Sequence, residues 1–322
     1  MRSILQVIII LMLASNLQAT IHRVTVTGAP GTYGSLNAAV TAATPGDTIH
    51  VEPGTYATLF TSIKNNLTFI GNGLNLGQFP NQQADTNRSK IDNFYLPGIN
   101  TKVYGLDIDV LHCHSNDTNS LIQFCKINSV NIYSHCNNTQ ILDCSLGLLN
   151  STLISVGLQD STEGTIIQNC HFLSNTKSDT MSSGNSFMNC VFELSTISQN
   201  QMNQEFSNCT ISNCIFKYGS YTNFNSTFIN NIACQGAESL PTGNGNVSGV
   251  DPADLFDNPT STEDVDQQIK PGYVNQNIGM FAGSTPFRLA YMPPIPSIYQ
   301  FIVPPVINTN TGTITISTKT NQ

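Results

Sequence analysis

Two short segments of the chain carry histidine and tyrosine side chains at alternating positions. His112 and His114 belong to the first segment, and Tyr133 and His135 lie 21 residues further along in the second. Because side chains alternate across a strand, this spacing predicts that Tyr133 lies beside His112 and His135 beside His114, on neighbouring strands about 5 Å apart. The other side chains of the two segments would point inward: Leu111, Cys113, Ile132 and Ser134.

The chemistry of this cluster follows from the imidazole ring. Histidine titrates near neutral pH, so the cluster could supply a general acid and a general base, and the imidazole nitrogens could also bind a divalent transition metal. The alternative is a solvated polar ladder without chemistry, since a slip of one residue in the pairing would turn these side chains inward. The candidate catalytic residues are accordingly His112, His114, Tyr133 and His135.

Two carboxylates form a second candidate site, for substrate binding. Asp107 and Asp109 alternate with Leu106, Ile108 and Val110, which predicts that both carboxylates face outward on one strand. Paired carboxylates could act as acid and base in glycoside hydrolysis, or they could bind Ca²⁺. The alternative is that these two side chains only increase solubility.

A recurring motif indicates the elements that must position these residues. A polar residue precedes a cysteine, and an apolar residue follows two positions later, about every twenty residues, as in repeat architectures whose units share one core. The motif cysteines are Cys144, Cys170, Cys190, Cys209 and Cys214, and Cys125, which follows Phe124, belongs to a degenerate first copy. Alternation favours buried free thiols over a disulfide framework or a metal site. The asparagine that often precedes the cysteine tolerates the left-handed backbone of a sharp bend.

One helix is expected before the repeats. Ser35 can cap a helix that runs to Ala43, and Leu36, Ala39 and Val40 share one face of it. A single amphipathic helix in front of a repeat array is typical of a lid over the exposed end of the core.

Two stretches, residues 31–40 and 45–56, resemble the opening of pectate-lyase-like right-handed parallel β-helix proteins. Residues 251–256, 269–272 and 278–283 resemble the closing segment of many secreted bacterial β-helix proteins. The resemblance implies an all-β fold: a right-handed parallel β-helix, or solenoid, of three-sided coils with an N-terminal capping helix and a Pro-rich C-terminal β tail. It does not select a function, because that superfamily includes lyases, hydrolases, esterases and adhesins.

The catalytic motifs of characterised members are not found in this sequence. Pectate lyases use an arginine base with aspartate ligands for Ca²⁺, polygalacturonases carry Asn-Thr-Asp and Asp-Asp patterns, and pectin esterases need two aspartates and an arginine. Arg88 and Lys90 occur together, but we assign both to the polar stretch around residues 81–89, which is typical of a loop. No known mechanism can therefore be transferred residue by residue.

The ends of the chain differ from its middle. Residues 1–19 have the charged start, apolar core and small-residue exit of a secretory signal peptide, too short to span a bilayer. We expect a parallel β-helix domain with its cap over residues 20–285 and a Pro-rich tail over residues 286–322, with strands at 298–303 and 313–317. The predicted location is secreted, periplasmic or at a bacterial cell surface, with no membrane span after signal removal. The formal charge of −8 argues against nucleic acid as a partner.

These observations predict a secreted β-helix protein that binds an extracellular polysaccharide or cell-surface glycan and that could also degrade it, as a lyase or glycoside hydrolase. A non-enzymatic adhesion or structural protein is one alternative, favoured by the missing catalytic motifs. A metal-dependent enzyme outside carbohydrate chemistry, centred on the histidines, is another. The cofactor stays open, with Ca²⁺ or a transition metal as options.

Overall fold

A computed structural model describes most of the chain between residues 19 and 321. The described residues are 19–59, 63–74, 87–114, 117–133, 136–147, 155–158, 163–173, 175–178, 184–193, 203–289, 291, 297–302 and 317–321. Nearly all of the predicted signal peptide lies outside them, and so do His135, Ser134 and most prolines of the tail.

The predicted predominance of parallel β-structure is confirmed. Within the described residues, ten strands form a first parallel sheet: β1 (Ile21–Val24), β2 (Thr48–Val51), β4 (Thr68–Ile70), β6 (Lys102–Tyr104), β8 (Leu121–Gln123), β10 (Gln140–Leu142), β13 (Ile166–Gln168), β16 (Asn185–Met188), β19 (Cys209–Ser212) and β22 (Thr227–Ile229).

Fourteen further described strands form a second parallel sheet: β3 (Gly54–Tyr56), β5 (Ser89–Tyr95), β7 (Asp107–Cys113), β9 (Lys126–Ile132), β11 (Ser145–Leu146), β12 (Ser155–Leu158), β14 (His171–Phe172), β15 (Asn175–Ser178), β17 (Val191–Phe192), β18 (Asn203–Ser207), β20 (Ile215–Phe216), β21 (Ser220–Phe224), β23 (Ile232–Cys234) and β24 (Val247–Val250). A separate antiparallel pair joins β25 (Ser297–Ile302) and β26 (Ser317–Asn321). The second strand of the tail was predicted at residues 313–317, whereas β26 begins at Ser317.

The chain alternates between the two large sheets, adding strands to each in sequence order. The first sheet has the order β1-β2-β4-β6-β8-β10-β13-β16-β19-β22. The second has two arms that meet at β9: the long arm β3-β5-β7-β9-β11-β14-β17-β20-β23-β24, and the short arm β9-β12-β15-β18-β21. Both arms share β9 because this seven-residue strand pairs with β11 through its first half and with β12 through its second. This arrangement is consistent with a β-helix.

Inward side chains of the first sheet form a continuous apolar ladder. Its members are each at most 2% exposed: Ile49, Phe69, Val103, Ile122, Ile141, Ile167, Phe187, Ile211 and Phe228. They pack in one cluster with inward residues of the second sheet, including Ile108 and Phe192. Each such side chain contributes about 1.5–3 kcal/mol on burial, so the shared core stabilises strands that are too short to be stable alone.

The cysteine motif occupies the corner between the two sheets. All nine cysteines are buried and unpaired, as the alternation predicted. The residue before the cysteine has a left-handed backbone, with φ between 51° and 53°, in five copies: Asp143, Asn169, Asn189, Asn208 and Asn213. The proposed reason for asparagine at this position is thus confirmed, because its short polar side chain lowers the cost of that conformation.

The predicted helix is present as α1 (Leu36–Ala42). The hydroxyl of Ser35 accepts a hydrogen bond from the Ala38 backbone N–H at 3.2 Å and caps the first turn. Leu36, Ala39 and Val40 are buried against the core. None of the described helices is long and apolar enough to cross a membrane.

The closing segment covers the outer side of the later strands of the long arm. We call residues 251–289 together with Tyr291 the strap; it contains α2 (Pro252–Leu255) and a 3₁₀ helix (Asp264–Gln267). The apolar residues of the strap pack on outward residues of β17, β20 and β23 in a second buried cluster. Gly279 of the strap has a φ of +78°, and a Cβ added there would be 2.8 Å from Ile215 Cδ1, so both the backbone and the close packing favour glycine.

Candidate functional site

Four rings lie face to face on the outer surface of β5, β7 and β9. We call Tyr95, His112, His114 and Tyr133 the ring stack. The ring centroids of Tyr95 and His112 are 4.2 Å apart and those of His114 and Tyr133 are 4.7 Å apart, with interplanar angles of 6° and 7°. The structure therefore brings three of the four predicted catalytic residues together and adds Tyr95. The fourth, His135, lies outside the described residues.

The predicted pairing within this cluster is wrong by two residues. In the register of β7 with β9, His112 pairs with Asn131, and the next outward position places Tyr133 beside His114. The physical reason is the length of the repeat here, which is 19 residues rather than 21, as the contact between Asp109 and Asn128 also shows.

The expected inward side chains are nevertheless inward. Leu111, Cys113 and Ile132 are all 0% exposed, and Ser134 is outside the described residues. A shift of two residues keeps each side chain on its own face of the sheet, so it changes the neighbours of His112 without turning His112 inward.

A ligand could contact the edges of the stacked rings rather than their faces. Most ring faces are covered by neighbouring rings, and His112 is only 9% exposed. Burial lowers the pKa of His112, and the neighbouring His114 lowers it further, so His112 is neutral at neutral pH. Its Nδ1 lies 3.3 Å from the Tyr133 hydroxyl, within reach of a hydrogen bond. The stack can therefore donate and accept hydrogen bonds along its outer edge.

A buried carboxyl group bonds to the backbone of His114. Asp117 is 3% exposed and accepts a hydrogen bond from the backbone N–H of His114. Burial raises the pKa of Asp117 to about 7, although that hydrogen bond acts in the opposite direction. Sequence reasoning missed Asp117, since an aspartate between two strands is typical of an ordinary turn. Its position fixes the backbone of His114, one residue of the ring stack.

The two predicted substrate-binding carboxylates, Asp107 and Asp109, lie in an open cleft of about 660 Å³ on the same three strands and β3. The cleft is lined by Pro53, Gly54, Thr55, Asn87, Arg88, Lys90, Asp107, Asp109 and Asn128, and we call it the charged groove. Both carboxylates contact cations across it: Arg88 Nη1 lies 3.2 Å from Asp107, and Lys90 Nζ lies 3.0 Å from Asp109.

The interpretation of Arg88 and Lys90 as loop residues is wrong for Lys90. Lys90 is the second residue of β5, and Arg88 directly precedes that strand, because the in-register pairing of β5 with β7 orders this part of the chain. The hydrogen bond to Asp109 raises the pKa of Lys90. Asn128 donates to Asp109 at 2.7 Å, while its own buried Oδ1 has no hydrogen-bond donor among the described residues. Hydrogen-bond donors, on Arg88, Lys90 and Asn128, therefore lie next to the acceptor oxygens of Asp107 and Asp109 in the groove.

A second cluster of charges, missed by sequence reasoning, lies under the strap. His171 has Nδ1 2.7 Å from Asp264 Oδ1 and Nε2 3.1 Å from Glu193 Oε2. Lys217 donates to Glu193 at 2.6 Å, and the Tyr291 hydroxyl donates to Asp264. The side chains of His171 and Lys217 are 0% exposed and that of Glu193 is 2% exposed. We call these five residues the buried charge network; its enclosure indicates a structural role.

The charges in this network stabilise one another. Burial opposes the charged form of His171, but hydrogen bonds and charge interactions with Asp264 and Glu193 outweigh it and raise the pKa of His171. Burial likewise acts against ionised Asp264, yet His171 and Tyr291 lower its pKa overall. Two cations and two carboxylates therefore balance inside the interface between the strap and the sheet.

Among the described residues, no three histidine, cysteine, aspartate or glutamate side chains lie close enough together to hold a metal ion. Comparison with protein-family models, with curated proteins and with solved structures found no match to this chain. The functional proposal below therefore rests on the geometry of the outer surface.

Proposed function

We propose that this protein binds an extracellular polysaccharide on the outer surface of β5, β7 and β9. The observation that supports this proposal is that three consecutive strands, paired in register, supply both the charged groove and the edge of the ring stack. Neighbouring strands are about 4.8 Å apart, which is similar to the length of one sugar residue in an extended glycan. Hydrogen-bonding groups repeated at that spacing fit the hydroxyl groups of successive sugars.

The charge pattern of the groove favours a neutral polysaccharide over a polyanion. Arg88 and Lys90 are paired with Asp107 and Asp109, so the cations are already neutralised. The whole chain carries a formal charge of −8, which repels a polyuronate at long range. Sugar hydroxyls both donate and accept, and they can therefore bridge the paired charges without displacing either partner.

Binding fits the geometry better than cleavage does. His112 is neutral and could accept a proton, but it is nearly enclosed and its ring is covered by neighbouring rings. A general base must reach the substrate within hydrogen-bond distance. Degradation of the glycan, the stronger form of the proposal, would require movement of these rings.

The fold and location are part of the same proposal. We propose that the two sheets wrap around their shared core as a right-handed solenoid, with α1 as its N-terminal cap and β25 and β26 in a Pro-rich tail. The in-register ladders, the shared core cluster and the burial of the apolar face of α1 support this, and parallel crossovers are right-handed in about 98% of cases. We also propose export, with residues 1–19 removed as a signal peptide.

The test is binding to a panel of neutral and acidic polysaccharides by affinity electrophoresis. We expect retardation by at least one neutral glycan and about tenfold weaker binding by Lys90→Met, which removes the cationic partner of Asp109 from the groove. Lys102→Met is the matched control, since Lys102 is exposed on β6 of the other sheet. Tyr133→Phe tests the edge of the ring stack, and release of reducing ends in the same samples tests degradation. Absence of binding to every glycan, or equal binding by Lys90→Met and Lys102→Met, would refute the proposal.

A further inference from the structure

A buried carboxylate joins three segments at the start of the fold. Asp47 is 3% exposed and lies directly before β2. Its Oδ2 accepts a hydrogen bond from the Thr44 backbone N–H at 2.7 Å and lies 2.9 Å from His22 Nε2. Its Oδ1 accepts a hydrogen bond from the backbone N–H of Thr20 at 2.7 Å. Asp47 therefore fixes the residue that precedes β1.

The carboxylate of Asp47 is short of positive charge. Among the described residues, no lysine or arginine side chain bonds to it; its side-chain partners include the imidazole of His22, whose other ring nitrogen lies 3.2 Å from the Tyr33 hydroxyl. Burial acts against the ionised carboxyl, but hydrogen bonds from Thr44, Thr20 and His22 lower the pKa of Asp47 to about 2. A cation held next to a carboxylate favours its ionised form, and hydrogen bonds between two charged groups are stronger than those between neutral groups.

The chain offers such a cation at the predicted processing point. Ala19 and Thr20 are exposed and precede β1, which begins at Ile21. Ala19 is the small residue at the end of the predicted signal peptide. A cut after Ala19 would turn the Thr20 nitrogen, already 2.7 Å from Asp47, into an α-ammonium group. The carbonyl of Thr20 would keep its hydrogen bond from the Thr48 N–H at 2.9 Å.

We infer that the bond between Ala19 and Thr20 is the processing site, and that the α-ammonium group released on Thr20 forms a structural ion pair with Asp47. Hydrolysis adds one water across this peptide bond, leaving a carboxylate on Ala19 and an ammonium group on Thr20. Processing then strengthens the attachment of β1 to β2 and to the loop that follows α1. The inference rests on the proposed export and is independent of glycan binding.

The first experiment identifies the N-terminus. The full chain is expressed in a secreting bacterium, and the protein recovered outside the cytoplasm is sequenced from its N-terminus. We expect the sequence Thr-Ile-His-Arg. A retained leader or a different first residue overturns the assignment of the processing site, and with a retained leader the export proposal fails as well.

The second experiment tests the ion pair on purified protein, without export. One protein begins at Thr20, released from a fusion that leaves no extra residue, and its partner carries a single glycine before Thr20. We expect the glycine-extended protein to unfold at a temperature about 2–6 °C lower, because its ammonium group is displaced from Asp47. The difference should vanish when both proteins carry Asp47→Asn. Equal unfolding temperatures of the two parent proteins overturn the ion pair.

A third measurement applies if Asp47→Asn does not fold. The rate at which an amine-reactive reagent labels the N-terminal peptide near neutral pH is followed by mass spectrometry. Pairing with Asp47 raises the pKa of the α-ammonium group, so the protein that begins at Thr20 should react about tenfold more slowly than the glycine-extended protein. Equal labelling rates would contradict the inference.

Discussion

Lys217 is the most informative position at which to perturb the attachment of the strap. Its side chain is 0% exposed and donates to Glu193 at 2.6 Å, to the Ser261 carbonyl at 3.0 Å and to Gln267 Oε1 at 3.1 Å. The ammonium group also lies 5.0 Å from the ring centroid of Phe256. Replacing Lys217 with methionine keeps an unbranched side chain one atom shorter and removes the charge and the three hydrogen bonds.

The expected cost is large because the partner stays buried. Lys217→Met leaves Glu193, 2% exposed, with His171 as its remaining charged partner. Removing one member of a buried ion pair destabilises proteins by about 3–5 kcal/mol. Lys270→Met is the matched control on the strap, since Lys270 is partly exposed and lies 3.8 Å from an exposed Asp257. An exposed pair of this kind contributes about 0–1 kcal/mol.

Denaturant unfolding and hydrogen exchange provide the assay. We expect Lys217→Met to lower the free energy of unfolding by about 3–5 kcal/mol, and to speed exchange in residues 251–289 more than in the first sheet. Lys217→Met combined with Glu193→Met should recover part of the loss, since no unpaired charge is then buried. A single-variant loss no greater than that of Lys270→Met would refute the reasoning.

Two further predictions concern pH. The pKa of His171 is raised above 6.5 in the folded protein. The contribution of His171 to stability is therefore complete below about pH 6.5 and is lost as the pH rises through the folded pKa. Thermal unfolding at about pH 5 and about pH 9 should show that His171→Gln loses less stability between these two pH values than the parent protein does. The pKa of Asp117 is raised from 3.8 to about 7, so ionisation of this carboxyl group destabilises the fold progressively over that range. Asp117→Asn should therefore gain stability relative to the parent protein as the pH rises from 4 to 7. A difference in stability between the two proteins that does not change with pH would contradict this.

Local features of the sequence predicted the parallel β-structure and the buried cysteines because the repeat is local. The left-handed residue, the buried cysteine and the inward apolar residue lie within four positions, as at Asn189, Cys190 and Phe192. Each copy of the motif therefore predicts the bend at its own position in the chain. Register between copies depends on the loops outside the motif. The repeat that joins β7 to β9 has 19 residues, so Tyr133 lies beside His114 and not, as predicted, beside His112 in the register.

The buried charge network could not be found by such local reasoning. His171 and Asp264 are 93 residues apart, and no periodic pattern relates them. A weaker signal was present in the strands themselves. Val191 and Phe192 are consecutive apolar residues, as are Ile215 and Phe216, and runs of this kind indicate a strand buried on both faces. These runs predict that something covers the outer side of the later strands.

This signal also explains where the charged groove ends. A single outward column in the long arm runs in register through Lys90, Asp107, Lys126, Ser145, His171, Val191, Ile215 and Ile232. The column changes from charged to apolar along its length, and the strap covers the apolar part together with His171, whose charge is balanced by Asp264 of the strap and by Glu193. Water stabilises the charged part and would destabilise the apolar part, so the position of the strap follows from side-chain chemistry. The same change of chemistry leaves the first strands of this arm open, and a glycan bound there would have to end, or turn away from the sheet, where the strap begins.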